Sequence, residues 1–239
     1  MTMLSFIVPA HNEECELPAA LQAIRRAGDA ACQPYEIVVA NDDSTDRTAE
    51  IAREFGACVV DVQLRQIAAV RNAGACAARG DVFFFVDADT HIRPTHVTAA
   101  IEALESGYVG GSARIALDAK VPFWANTFLG VFALFYFGAN LGVGAFMFMR
   151  RASFEEVGGF DEQYFAGEEM YLTLALKKLG RFKLLPEPIT TSARKVRMHS
   201  GMHVFRQWIG MMLGGPEALR NRERLGLWYD GKREHRADT

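Results

Sequence analysis

The sequence predicts an α/β fold: a mostly parallel central sheet with helices on both faces. Three observations predict it. Short β-branched and aromatic runs alternate with segments whose apolar residues recur at helical spacing. The strand candidates are apolar almost throughout, as strands covered on both faces must be. The most apolar run, Phe83-Phe84-Phe85-Val86, ends in two carboxylates, Asp87 and Asp89, at the kind of strand exit where open α/β sheets bind ligands.

The elements follow in order. Residues 4–8 and 35–40 read as strands, and between them Leu17, Leu21 and Ile24 define one helical face. Ser44 or Thr45 is expected to cap a helix running through Glu54, with Asp46 near its positive end. Residues 57–62 form the next strand, 67–78 an Ala-rich helix, and 82–86 another strand. Pro94 suits the first turn of a helix carrying Val97, Ile101 and Leu104.

Residues 121–149 are nearly uncharged and rich in Phe. Their length would suit a membrane span, but one span would put Asp87 and Asp89 across ~30 Å of hydrocarbon from the acidic pair Glu168-Glu169. Glycines at 130, 138, 142 and 144 also divide the stretch. It reads as a helix followed by a buried strand over 144–149. Its exposed face packs into the core, meets a second copy, or lies on a membrane surface. Residues 217–239 are charged and read as a helix followed by a loose tail.

Composition narrows the classes. The chain has 239 residues, half of them hydrophobic, which suits one domain over 1–215 with a charged tail over 216–239. A net charge of −3 leaves no basic field to recruit nucleic acid. Cys15, Cys32, Cys58 and Cys76 lack paired C-x-x-C spacing and read as reduced, buried small residues. The first residues lack a cationic signal-peptide opening, so a cytoplasmic location is expected. The turn after the first strand, Pro9-Ala10-His11-Asn12-Glu13-Glu14, is not G-x-G-x-x-G, and neither a P-loop nor a G-x-S-x-G elbow occurs. Two carboxylates one residue apart on an extended segment point the same way and can share a hard cation such as Mg²⁺ or Mn²⁺.

Five motifs in one order carry a family resemblance. They are residues 7–14 (IVPAHNEE), 39–46 (VANDDSTD), 69–74 (AVRNAG), 86–89 (VDAD), and 158–162 (GGFDE) leading to Gly167-Glu168-Glu169. In these the chain resembles the family 2 glycosyltransferases, whose fold is the Rossmann-like GT-A fold. The resemblance implies transfer of one sugar from a nucleotide-diphosphate sugar to a hydroxyl acceptor, with a divalent metal and inversion at the anomeric carbon. It also divides the domain into a nucleotide-binding half, about 1–110, and an acceptor half, about 111–215.

Residue by residue, the resemblance gives Pro9, His11 and Glu13 to the nucleotide's base and ribose, and Asp42 to the base. Asn41 and Asp43 depart from the family pattern. Arg71 is aimed at the nucleotide, or else forms a structural salt bridge. Asp89 is the expected direct metal ligand, with Asp87 on the ribose or on the metal through water. Glu169 stands where the family carries its catalytic Asp, preceded by Glu168; an acidic helix N-terminus would read the same way. Arg194 is placed on the diphosphate and His199 in the metal shell, unless 190–199 is a solvated basic face. A lipid-linked acceptor fits this reading, with peripheral contact at the inner face of the membrane or a homodimer through 121–149. Phe205-Arg206-Gln207-Trp208 has the wrong order for the Q-x-x-R-W motif of processive synthases. Two alternatives stay open: a sugar-phosphate nucleotidyltransferase and a non-catalytic nucleotide-sugar binding module.

Overall fold

Strand β1 (Leu4–Ala10) is buried along its whole length because it pairs on both sides and is covered on both faces. It runs parallel to β2 (Tyr35–Asp42) and to β4 (Val82–Val86), with Leu4 opposite Tyr35 and Val82. These coordinates are a computed structural model describing residues 2–117, 133, 134, 136–192, 215 and 217–225. Further elements are α1 (Leu17–Ala30), α2 (Thr48–Glu54), β3 (Cys58–Val62), α3 (Ile67–Ala77), β5 (Thr90–His91), α4 (Pro94–Glu105) and β6 (Tyr108–Leu117). After these come β7 (Phe146–Arg150), α5 (Arg151–Glu156), α6 (Glu168–Leu179) and β8 (Arg181–Thr191).

The sheet order is β3-β2-β1-β4-β7-β6-β8-β5. The block β3-β2-β1-β4 is wholly parallel, as expected; β7 enters antiparallel to both β4 and β6. Strand order reverses direction at β1, which leads to β2 on one side and β4 on the other. The carboxyl ends of these strands therefore flank a crevice.

Alternation along β4 divides the core. Phe84 and Val86 join Leu4, Phe6, Leu21 and Phe146 on the α1/α4 face. Phe83 and Phe85 join Met147, Phe154, Phe160 and Leu176 on the α3/α6 face. Each buried Phe contributes about 1.5–3 kcal/mol. Continuing the alternation sends Asp87 to the α3/α6 side.

Two expectations change. Helix α2 starts at Thr48 rather than beside Ser44 or Thr45, because Asp46 turns the chain just ahead of it: its Oδ1 accepts from the Thr48 N–H at 2.9 Å. Ser44 and Thr45 are engaged elsewhere, meeting Asn12 at 3.0 and 2.8 Å and joining the first two βα loops. The four cysteines are free thiols, but all are exposed rather than buried. The buried strand expected over 144–149 is β7, and Phe146 through Met149 are fully buried. Most of the preceding apolar stretch lies outside the described residues. Among the described residues no helix is long and apolar enough to cross a membrane.

His96 on α4 is buried against Phe146, and its Nδ1 accepts the Arg93 N–H at 2.9 Å, so the ring is neutral with its proton on Nε2. Burial holds its pKa below the ordinary value, with Glu187 opposing and Arg93 assisting. A depressed imidazole pKa means the unfolded chain binds more protons as acid is added. Stability is therefore full above pH ~6.5 and falls below it, by up to about 1.4 kcal/mol per pH unit. Urea unfolding of wild type and His96→Gln between pH 5 and 8 should show a difference that narrows as pH falls.

Candidate active site

The loop after β1 and the end of β2 form one wall of the crevice. His11 Nδ1–H donates to the Asp42 carbonyl at 2.6 Å, which leaves Nε2 to accept from Arg65 Nη1 at 2.7 Å. The Asp42 side chain is buried, and its Oδ1 accepts the N–H groups of Leu64 (2.8 Å) and Arg65 (3.1 Å). Pro9 lies in buried β1, and Glu13 is buried with its N–H on Thr48 Oγ1 at 2.7 Å. Asn41 points the other way along β2, donating to Asp61 Oδ1 at 2.7 Å.

The second wall is organised by Arg71 on α3, only 2% exposed. Its Nη2 donates to Asp87 Oδ1 at 2.8 Å, and its Nη1 pairs with Glu168 Oε1. Both Nη atoms are thus engaged by carboxylates, the salt bridge that was the alternative to a nucleotide contact. One guanidinium fork joins the exit of β4 to the first turn of α6. Gly144 makes room for it: a Cβ there would lie 2.6 Å from Nη2. The Asp87 N–H donates to the neighbouring Ala145 carbonyl at 3.2 Å.

Glu168 is buried, whereas Glu169 is partly exposed. Gly167 precedes them at φ 75°, a left-handed turn that aims both into the first turn of α6. The Glu169 pKa is pushed up to about 8, by burial first and then by the Glu168 charge, with Arg71 opposing. Tyr136, whose hydroxyl donates to the Gly142 carbonyl at 2.7 Å, is also pushed up by burial and by the two glutamates.

Asp89 is partly exposed and accepts from Thr191 Oγ1 at 3.3 Å. Among the described residues no group of three His, Cys, Asp or Glu side chains is placed to hold a metal ion. The donor types nevertheless fit a hard divalent cation. Mg²⁺ is commonly bound by one or two carboxylates, with phosphate and water oxygens completing the shell. His199 and Arg194 lie outside the described residues.

The match to the family profile of glycosyl transferase family 2 covers residues 5–158. The chain belongs to that family. An undecaprenyl-phosphate 4-deoxy-4-formamido-L-arabinose transferase of Aeromonas hydrophila is 34% identical over 114 residues, 44% of this chain and 35% of that one. A 4,4'-diaponeurosporenoate glycosyltransferase of Staphylococcus haemolyticus is 36% identical over 112 residues, 44% of this chain and 28% of that one. The chain thus spans about a third of the length of these relatives. The mannosyltransferase PcManGT from Pyrobaculum calidifontis, in complex with GDP-Man and Mn²⁺, superposes with a TM-score of 0.65 at 19% identity, covering 95% of this chain and 67% of that one. That likeness shows the GT-A fold.

Within this family 2 domain, three residues emerge that sequence reading left without a role. Arg65 reaches His11; a cation directly before α3 was its only sequence sign. Asn72 donates to the Phe160 carbonyl (2.9 Å) and Glu162 Oε1 (2.9 Å), and its Oδ1 accepts the Phe160 N–H (3.0 Å). Gln66 Nε2 donates to the carbonyls of Glu162 and of Tyr164, the latter at 3.2 Å. Helix α3 therefore grips the 158–164 turn that feeds α6. Asp161 caps that turn, its Oδ1 accepting the Gln163 N–H at 2.9 Å.

Proposed function

We propose that this chain is a metal-assisted, inverting glycosyltransferase that moves a single sugar from a nucleoside-diphosphate sugar to an acceptor carried on a lipid. One arrangement supports this above others. Arg71 pairs with Asp87 and Glu168, so the first turn of α6 lies beside the exit of β4. A leaving diphosphate and an attacking oxygen need such neighbours.

In this reading Pro9, His11, Glu13 and Asp42 line the nucleoside wall, with Arg65 ordering His11 and Asp42. Asp89 and Asp87 would hold the divalent ion, which when bound neutralises charge growing on the diphosphate. Glu169 takes the proton of the acceptor oxygen as that oxygen attacks from the side opposite the leaving group. Its raised pKa suits a base working near neutral pH. Arg71 and Glu168 hold these parts in register.

The lipid-borne acceptor is supported by the names of both curated relatives, each of which refers to a long-chain lipid. Leu134, 72% exposed within the apolar stretch, offers a contact for such a chain at a membrane surface. Those names favour a second reading at one point: undecaprenyl phosphate and diaponeurosporenoate present acid oxygens, which are ionised without a base.

A thermal-shift series with UDP and GDP, with and without Mn²⁺, tests the donor side. Ligand at 100 times its Kd stabilises by about 2.7 kcal/mol, raising Tm by roughly 5–10 °C for a chain of this size. The rise should require both nucleotide and metal, and should vanish in Asp89→Ala. A full rise in that variant would remove Asp89 from the cation site.

A further inference from the structure

A segment that follows the core motifs is built onto the loop that leads into the proposed base on α6. Ala218 and Leu225 are buried, so residues 217–225 have apolar anchors of their own. From that footing the Leu219 carbonyl accepts the Phe165 N–H at 2.9 Å. The Leu219 side chain lies over Gly167: a Cβ built on that glycine would be 3.4 Å from Leu219 Cδ1. Arg220 sits 4.8 Å over the Tyr164 ring and donates from Nη2 to the Tyr164 hydroxyl at 3.0 Å. Tyr164 in turn stacks on Tyr171 of α6, with centroids 3.8 Å apart and planes 15° from parallel.

We infer that residues 217–225 act as a strap that sets the first turn of α6, with Arg220 and Leu219 as positioning residues for Glu168 and Glu169. This rests on the assignment of Glu169 above. Two sets of contacts hold the loop between Glu162 and Gly167. Helix α3 fixes its start through Gln66 and Asn72, and the strap fixes its end through Phe165, Gly167 and Tyr164. Gly167 needs the second set most. It occupies a left-handed conformation with no side chain, so little of its own holds the turn from which both glutamates project. A carboxylate displaced by about 1 Å from its reacting proton can slow transfer on the order of a hundredfold.

The test compares the wild-type chain with Arg220→Met, Arg220→Lys and Tyr164→Phe by amide hydrogen exchange and by turnover of UDP- and GDP-sugars with Mn²⁺. Exchange at 165–170 should quicken by about tenfold or more in Arg220→Met while the amides of β1 and β4 stay protected. The kcat should fall up to about a hundredfold with the donor KM unchanged. Arg220→Lys, which keeps a cation over the ring, should recover part of the kcat. Tyr164→Phe, which removes only the hydroxyl, should lie between. Unchanged exchange at 165–170 overturns the strap, and so does faster exchange with an unaltered kcat. A silent Glu169→Gln variant would instead remove the base assignment, leaving the exchange result to judge the strap on its own.

Discussion

Replacing Arg71 with methionine is expected to lower the unfolding free energy by about 3–5 kcal/mol, the usual consequence of removing one partner from a buried ion pair. For a domain of this size that corresponds to a Tm loss of roughly 6–20 °C. Methionine fills similar space, so the loss would come from charge rather than from a cavity. Glu168 would be left buried beside Glu169 with no cation between it and Asp87. Arg71→Lys should restore little, because a single ammonium cannot span two carboxylates on diverging elements as the guanidinium fork does. Denaturant unfolding followed by two independent probes would measure it. A loss below about 1 kcal/mol would mean that Asp87 and Glu168 are not held by this residue.

Glu169→Gln should leave the fold intact and reduce transfer to a hydroxyl acceptor by about 10²–10⁴-fold. The pH dependence supplies its own check. A base must be deprotonated to act, so the wild-type kcat/KM should rise with pH and level off above about 8, where the carboxyl titrates. The glutamine variant should lack that rise. Stability should move the opposite way. A carboxyl raised from 4.5 to about 8 on folding binds a proton in the native state across that interval. Its stabilising contribution is whole below the lower value and is lost as pH climbs through the upper one. Glu169→Gln is therefore expected to be the more stable protein at pH 9. If the acceptor is instead an acid oxygen, already ionised at neutral pH, the variant keeps most of its rate and the rise at 8 disappears from the wild type as well.

Much of the first hundred residues was legible because local and tertiary preferences agree there. The β1, β2 and β4 runs are apolar and covered on both faces, and Pro94 marks the start of α4 in sequence and in space. Strands β6 and β8 were not legible. Gly110 and Gly111 interrupt the first, Pro186 and Pro188 the second, and propensity alone argues against both. They form because each completes the other. Ala113 pairs with Leu185 and Ile115 with Ile189, so the two prolines fall into a bulge that needs no ladder hydrogen bonds.

The site shows the same division. Asp87, Asp89, Glu168 and Glu169 could be picked out as chemistry-bearing groups from motif and order. Arg71 could not be assigned its partners, since they lie 16 and 97 positions away and charge in an Ala-rich helix does not say which way it faces. Asp42 was read for a side chain facing the base, although its Oδ1 accepts the loop amides of Leu64 and Arg65 and its backbone carbonyl accepts from His11. The turn that Asp46 makes with the Thr48 N–H was missed because three polar residues in a row, Ser44, Thr45 and Asp46, can each precede a helix, and only the contacts of Asn12 break the tie.

Strands β6 and β7 lie side by side, with Gly110 opposite Met149 and Ser112 opposite Met147. The two ends of the chain that joins them therefore lie on adjacent tracks of the sheet. Ends already on neighbouring tracks can be joined by a connection of almost any length, whereas its last residues, 142–144, are tied to Thr173, Ser112 and Arg71. Chains of this architecture could thus vary that connection while keeping the two strands, and the register between them, unaltered.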